Sequence, residues 1–253
     1  MLRVGDNGLA EEDSSRPRRP VIPLQISFDV LRARAASGVF SESGKIWNHL
    51  DEEAIPADTA VILQRNGLRV ARGKEDSWPP IKALLEDEEH VETSTNHVAV
   101  NNGLPLMVEL DRWPRDQVLF LFRPDGSLGG ASFPESTNLL RIEYDISLDR
   151  RPGALEVNVM PEIRLPPTPP RFRFGESGFV QGRRQQPTRV LRELAFAMEV
   201  GPDEFFVVGP GPRMERGHLA GSLLLCEEIE GRRFESIYFI TPRVTGTGRS
   251  AGP

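Results

Sequence analysis

Cysteine is almost absent from this chain: Cys226 is the one thiol in 253 residues. A lone cysteine excludes an intramolecular disulfide and a thiolate metal cluster. It lies in the run Ser222-Leu-Leu-Leu-Cys-Glu-Glu-Ile229, where a small buried hydrophobe is the ordinary use of the residue. No base or electropositive neighbour in the sequence marks it as a nucleophile, so the redox compartment stays open. A basic excess is absent too. Thirty-one Lys and Arg against 37 Asp and Glu give a net charge of -6, which argues against a general nucleic-acid binder. The local clusters Arg16-Pro-Arg-Arg19 and Arg183-Arg184 read as solvated loop charge. No stretch approaches the roughly 20 apolar residues that a membrane-spanning helix needs. The first fifteen residues hold no apolar core of a signal peptide, and as written the chain reads as soluble and cytoplasmic.

What the chain has in quantity is punctuation. Twenty-three glycines and 22 prolines interrupt it every ten residues or so, as many-stranded β proteins require. Its 38% hydrophobic residues gather in runs, and the length suffices for a proper core. Residues 1–22 are polar and rich in Pro, Arg and Asp, which predicts a disordered arm. Leu24 to Leu31 alternates apolar and polar side chains, the period of a half-buried strand. Three helical stretches follow. Glu42 to Glu52 places Ile46, Trp47 and Leu50 on one face. A second carries Pro56 at its start, then Asp58, Val61, Ile62 and Arg65, and stops at Asn66-Gly67, a left-handed ending. The third is capped by Ser77, tolerates Pro79 and Pro80 in its first turn, and buries Ile81, Leu84 and Leu85. Residues 23–100 thus read as a small α/β module.

Beyond residue 100 helical periodicity nearly vanishes. Val91 to Val100 and Leu104 to Leu110 flank the turn signal Asn101-Asn-Gly103. Gln117 to Phe122 reads as a buried strand. Leu139 to Leu148 alternates and pairs plausibly with Leu155 to Ile163 across Arg150-Arg-Pro-Gly153. Residues 166–170 form a stiff spacer and 174–187 a polar loop. Four short apolar runs close the chain, including Glu204-Phe-Phe-Val-Val-Gly209 and Phe234-Glu-Ser-Ile-Tyr-Phe-Ile-Thr-Pro-Arg-Val244, before a flexible tail at 245–253. The expected fold is α+β: a small N-terminal α/β module at 23–100 followed by a mostly antiparallel β domain at 101–244.

No arrangement of side chains announces a reaction. His90 and His97, with Glu88, Glu89 and Glu92, match no established metal-ligand spacing, and on a strand the two rings would point to opposite faces. Asp51, Glu52 and Glu53, beside Trp47 and His49, cannot oppose one another across a substrate as paired hydrolytic carboxylates must. Gly209-Pro-Gly-Pro212 and Gly217-His-Leu-Ala-Gly-Ser222 look superficially like a phosphate loop, but no lysine or helix is expected after them and the prolines remove amide donors. Trp47, Trp78 and Trp113 are candidate cleft residues, with core packing the default for two of them. No catalytic, cofactor-binding or metal residue is assigned, and no cofactor is implied.

The segment Phe234 to Val244 resembles the closing strand of secretins, the ring-forming outer-membrane channels of bacterial secretion and pilus machines, in which a glutamate leads an apolar strand ending in Thr-Pro-Arg-Val. Val157-Asn-Val-Met-Pro-Glu-Ile163 resembles that family's strand ending in Pro-Glu-Ile. Glu204 to Gly209 is similar to its strand preceding a Gly-Gly pair. The resemblance covers about residues 139–244. The second glycine is Pro210 here, a proline-containing segment of the family is replaced by residues 213–222, and there is no gate hairpin or pair of long lipid-facing strands. The resemblance therefore implies a β domain sharing ancestry with the channel core, with assembly surfaces, no working pore and no catalysis. It also implies a cell-envelope location, provided the true start lies upstream of Met1 and supplies an export signal.

The reading that follows is a non-enzymatic structural or assembly protein acting through sheet edges and loop surfaces, with a protein partner or self-association. The long loops 166–187 and 209–221 are the candidate surfaces, carrying Arg183, Arg184, Arg213, Arg216 and His218. The alternative is a soluble ligand-binding or hydrolytic β domain whose site is assembled from distant loops, around Arg112, Trp113 and 209–221. Contact with nucleic acid through the basic arm is disfavoured by the acidic total.

Overall fold

The alternation from Leu24 to Leu31 runs on to Ala36 and forms strand β1 (Leu24–Ala36) in a computed structural model. It describes residues 24–101, 103–146, 151, 153–168, 171–174, 180–183, 186–212 and 217–246. After β1 come helix α1 (Ala57–Arg65), β2 (Leu68–Lys74), α2 (Trp78–Asp87), β3 (Glu92–Val100), β4 (Leu106–Glu109), β5 (Arg115–Phe122), β6 (Leu128–Ile146) and β7 (Leu155–Arg164). The chain continues through β8 (Arg171–Phe174), β9 (Val180–Arg183), β10 (Thr188–Val190), β11 (Phe196–Val200), β12 (Glu204–Pro210), α3 (Ala220–Leu225), β13 (Cys226–Ile229) and β14 (Arg232–Gly246). Mostly antiparallel β-sheet with a few helices is the result.

Two six-stranded sheets carry the fold. The first has the order β2-β12-β14-β1-β3, with β13 hairpinned onto β14; the second has the order β10-β7-β6-β4, with β11 on β7 and β5 on β6. β8 and β9 form a separate two-stranded ribbon. The three strands of the first hundred residues, β1, β2 and β3, have β12 and β14 for neighbours in the first sheet, so that sheet draws on both segments expected from the sequence. β1 pairs with β14 over its full length, from Leu24 opposite Gly246 to Ala36 opposite Phe234.

The sheets face each other across one core that holds Phe28 and Val30 of β1, Ile142 of β6, Val157 and Val159 of β7, Phe206 and Val208 of β12, and Ile240 of β14. The other face of the first sheet is covered by α2 and the segment before α1, in a second cluster with Phe40, Trp47, Ile81, Phe205, Val207, Ile237 and Phe239. With both faces covered, Glu204 to Pro210 and Ser236 to Ile240 are buried at every residue. Their continuous apolar sequence is the consequence of that position. Inside the second cluster Glu235, with 0% exposure, accepts the Phe40 and Ser41 amides at 2.5 and 2.9 Å and the Ser41 hydroxyl at 2.8 Å. The carboxylate thereby anchors the turn that follows β1.

A second anchor is Asn66, the capping residue of α1. Its amide donates to Ile62 O and to Phe122 O, both at 2.9 Å, and its side-chain oxygen accepts the Phe122 N–H at 2.8 Å. Gly67 follows at φ +76°, the left-handed ending expected from the sequence. Its carbonyl accepts the Gly211 N–H at 2.9 Å, and Asn66 O accepts the Gly221 N–H at 2.7 Å. One turn thus ties α1, the β5–β6 hairpin and the approach to α3 together.

Four expectations from local pattern differ from the structure. Gln117 to Phe122, read as a buried strand, lies in β5 with Val118 and Phe120 exposed, because only one face of β5 meets the core. Glu42 to Glu52 is no helix but contains a short 3-10 turn at Trp47–His49, with another at Glu52–Ala54. Asp51 exchanges backbone hydrogen bonds with Arg72 at 2.7 and 2.9 Å, and that bridge draws the chain off a helical path. Ser222 to Ile229 is not one strand: its first part lies in α3, and only Cys226–Ile229 pairs with β14. The turn at residues 101–104 exists, with Leu104 N–H bonded to Asn101 O at 3.0 Å. Its flanking strands do not pair, since β3 joins β1 and β4 joins β6. It carries the chain from one sheet to the other. The hairpin of Leu139 to Ile146 with Leu155 to Arg164 forms as expected.

Phe239 is 2% exposed and edges onto the Trp78 ring at a centroid distance of 5.5 Å. Phe239→Ala is expected to cost about 3–5 kcal/mol in urea unfolding; an unchanged midpoint would show that the second cluster contributes nothing to stability. A Cβ at Gly221 would stand 2.1 Å from Gly67 O. Gly221→Ala is therefore expected to cost about 1–3 kcal/mol in the same measurement, and a neutral result would show that α3 is free to move away from the turn.

Candidate functional site

Of the loop residues expected to form an interaction surface, Arg184, Arg213 and Arg216 lie outside the described residues. Arg183 ends β9, opposite Arg171. His218 is exposed; its carbonyl accepts the Phe120 N–H at 2.7 Å, and its ring meets Phe120 edge-on at 6.1 Å. Its role is to hold the loop before α3 against β5. Trp113 is 74% exposed; it and Arg112 lie between Asp111 and Arg115 in the chain but make none of the contacts described below.

No helix was expected after the Gly/Pro loop, yet one is present as α3, which begins within the loop's second half. It has six residues and its Gly221 amide is committed to Asn66 O, so the loop is no phosphate cradle. Two of the three carboxylates near Trp47, Asp51 and Glu52, are likewise committed. Glu52 takes Arg69 in a two-pronged pair at 2.5 and 2.6 Å, and Asp51 pairs with Arg72 at 2.9 Å. The Arg69 guanidinium lies 4.4 Å over the Trp47 ring. His90 sits in a turn at φ +69°, while His97 on β3 bonds Asp29 of β1 at 2.7 Å. Among the described residues no group of three or more His, Cys, Asp or Glu is arranged to hold a metal.

Two places concentrate polar chemistry. The first is a network at one end of the space between the sheets. Asp111 accepts the Asn138 N–H at 2.7 Å and pairs with Arg115 at 3.2 Å; Arg115 also donates to Leu223 O at 2.5 Å. Gln117 donates to Ser136 at 2.7 Å and exchanges hydrogen bonds with Asn138 at 3.0 and 3.1 Å. Arg32 reaches Ser236 and Glu227, each at 2.9 Å, and Arg34 reaches Glu227 at 2.8 Å. Burial raises the Asp111 carboxyl above its ordinary range, against the opposing pull of Arg115. Burial also pushes the Cys226 thiol up to about 11 and raises the Tyr238 hydroxyl. At neutral pH both stay protonated, so neither is an activated nucleophile. The Tyr238 hydroxyl and Arg115 Nε are buried with no hydrogen-bond partner. The Asp111–Arg115–Asn138 group ties β5 and β6 to α3 through Leu223 O, and the Arg32–Glu227 group ties β1 to β13 and β14.

The second place is a cleft of about 280 Å³ on the outer face of the first sheet, beside the start of α2. Its floor is aromatic. Trp78 meets Phe205 at 5.8 Å and 80°, and Phe239 lies 6.2 Å from Phe205. Gly73 makes room for the Phe205 ring, since a Cβ there would stand 2.2 Å from its tip. Asp29, Thr95, Thr241 and Arg243 form one side; Glu75, Pro202, Asp203 and Glu204 form the other. The hydrogen bond from His97, helped by Arg243, lowers the Asp29 carboxyl below its ordinary range. The stability from that arrangement is present above the ordinary carboxylate range and is lost as the pH falls from that range through the lowered value of Asp29 in the folded protein. Sequence reading placed Trp78 on a helix face but gave no sign of the cleft, because its walls come from β1, β3, α2, β12 and β14.

No family model matches the chain, and no curated protein matches it. Among solved structures, it is similar to the secretin-domain β-barrel of InvG from the Salmonella SPI-1 injectisome, at 10% identity and a TM-score of 0.23, over 90% of this chain and 64% of that one. A chain of the Klebsiella pneumoniae type II secretion outer-membrane complex of PulD, PulS and the PulC HR domain is similar at 10% identity and a TM-score of 0.22, over 89% of this chain and 40% of that one. The chain spans less than two thirds of either structure. The likeness is weak, and neither score reaches what a shared fold requires.

The unpartnered Tyr238 hydroxyl yields a test of the network. Deleting it breaks no hydrogen bond made within the protein, so Tyr238→Phe is expected to shift stability by less than about 1 kcal/mol, in either direction. A larger loss in chemical denaturation would reveal a partner for that oxygen.

Proposed function

We propose that this chain is a non-enzymatic assembly protein that self-associates by strand addition, β3 of one copy pairing with β3 of another. The observation that carries the reading is the edge itself. β3 has nine residues, Glu92 to Val100, the first six of them exposed, and among the described residues no strand pairs with its far side. Edge strands are normally blunted by lysine, proline, a bulge or brevity. Glu-Thr-Ser-Thr-Asn-His-Val-Ala-Val has none of these. A row of free amide and carbonyl groups of that length is a template for another strand.

A second copy is the occupant that the strand's own chemistry fits. Two antiparallel copies centred on Asn96 set Glu92 opposite Val100, Thr93 opposite Ala99 and Thr95 opposite His97, so that no like charges meet. Glu92 is already held by Arg34 within its own copy. The resemblance of residues 139–244 to secretin segments supports an assembly role and, with it, a place in the cell envelope; among the described residues no helix is long and apolar enough to cross a membrane. Protonated Cys226 and the arginine-bound carboxylates support a role without catalysis. The ligand-binding alternative is favoured by one observation, the aromatic cleft.

Light scattering behind a sizing column, over a concentration series, is expected to give a discrete closed oligomer, and a monomer at all concentrations would overturn the reading. The edge is then tested by Thr95→Pro and, separately, Asn96→Pro. Neighbouring residues of a strand aim their N–H groups to opposite sides, so one variant breaks the ladder to β1 and the other blocks the free edge. The variant that keeps its melting temperature is expected to be monomeric; if it stays oligomeric, the contact lies elsewhere.

A further inference from the structure

The cleft on the outer face of the first sheet has charges that balance unevenly. Asp29 is matched by His97 at 2.7 Å and Arg243 at 3.3 Å. Glu204 accepts the Gly201 N–H at 2.8 Å and pairs with Arg151 at 3.3 Å and Arg72 at 3.7 Å. Glu75 and Asp203 have no such match: among the described residues neither carboxylate has an ion-pair partner. The two are held side by side by a backbone hydrogen bond from Glu75 N–H to Asp203 O at 2.9 Å. Both line the cleft over the floor of Trp78, Phe205 and Phe239.

We infer that this cleft binds a small organic cation, with an alkyl or aryl body on the three rings and an ammonium or guanidinium head at Glu75 and Asp203. Three observations converge on that class. Trp78, half-buried beside the nearly covered Phe205 and Phe239, offers its ring to a cation through the quadrupole and to an apolar body through burial. Glu75 and Asp203, which have no ion-pair partner among the described residues, line the cleft and supply acceptors that an ammonium or guanidinium donor satisfies, while Arg243 in the same lining is engaged by Asp29 at 3.3 Å. A volume of about 280 Å³ sits at the small end of ligand clefts, which suits a body of a few carbons. An anion of the same size would have only Arg243, already shared with Asp29. The proposed contacts to the cation head are separate from the assembly edge, because Glu75 and Asp203 lie on α2's approach and ahead of β12; of the cleft's lining only Thr95 belongs to β3.

The test uses the full chain and four probes of equal length: n-butylammonium, n-butylguanidinium, butyrate and 1-butanol. The readout is the Trp78 indole N–H resonance, assigned by its loss in Trp78→Phe, with Trp47 and Trp113 as internal references. Both cations are expected to shift the Trp78 signal with a dissociation constant of about 5 mM or tighter, and butyrate and butanol are not. The double variant Glu75→Gln, Asp203→Asn replaces exposed side chains and leaves their backbone hydrogen bond in place. It is expected to weaken cation binding about five-fold or more with its melting temperature unchanged. Equal responses to all four probes, a preference for butyrate, no shift at about 50 mM, or an unaltered affinity in the double variant would each overturn the inference. A change in oligomer size without a Trp78 shift would count against it too, while leaving the β3 contact standing.

Discussion

The pairing of β1 with β14 is the constraint on which the remainder of the fold rests. Thirteen consecutive residue pairs join the two ends of the described chain, and those two strands form the middle of the first sheet. Every other strand of that sheet is placed by them: β12 and β13 against β14, β3 against β1, and β2 at one remove through β12. Such a closure is entropically expensive, because nearly the whole chain lies between the partners. It is stabilised by burial on both faces, where Phe28, Val30 and Ile240 meet the second sheet and Phe239 and Ile237 meet α2 and the Trp47 segment.

Polar groups in this protein do structural work at places where the chain changes direction. Glu235 anchors the turn after β1, and Asn66 gathers α1, the β5–β6 hairpin and α3. The Asp111–Arg115–Asn138 group ties β5 and β6 to α3. Each satisfies backbone or side-chain partners that burial would otherwise leave unpaired. A buried cysteine and a buried tyrosine held in their neutral forms fit the same pattern: the interior is arranged to keep charges matched or absent.

Unmatched features lie instead on the outside of the first sheet. Its β3 edge has no strand beyond it among the described residues, and its outer face is left open beside the start of α2, over three aromatic rings and two unpaired carboxylates. Edge and cleft meet at Thr95, a residue of β3. A sheet that is central to the fold therefore also presents the surfaces on which association and ligand binding are proposed.

Local pattern by itself determined much of the secondary structure. Alternation marked β1 and the β6–β7 hairpin, proline and glycine marked both ends of α1 and the start of α2, and continuous apolar runs marked β12 and β14 as strands buried on both faces. Those signals are local because backbone geometry repeats every two or 3.6 residues. Tertiary structure alone decided the partners. The turn at residues 101–104 looked like a hairpin yet joins two sheets, since β3 pairs with β1 and β4 with β6. Residues 42–52 left a helical path to bridge Arg72, and Leu223 to Leu225 turned helical where the chain packs on Asn66 and Gly67. The cleft was invisible for the same reason: Asp29, Glu75, Thr95 and Asp203 carry no local signature, and only long-range strand pairing brings them together.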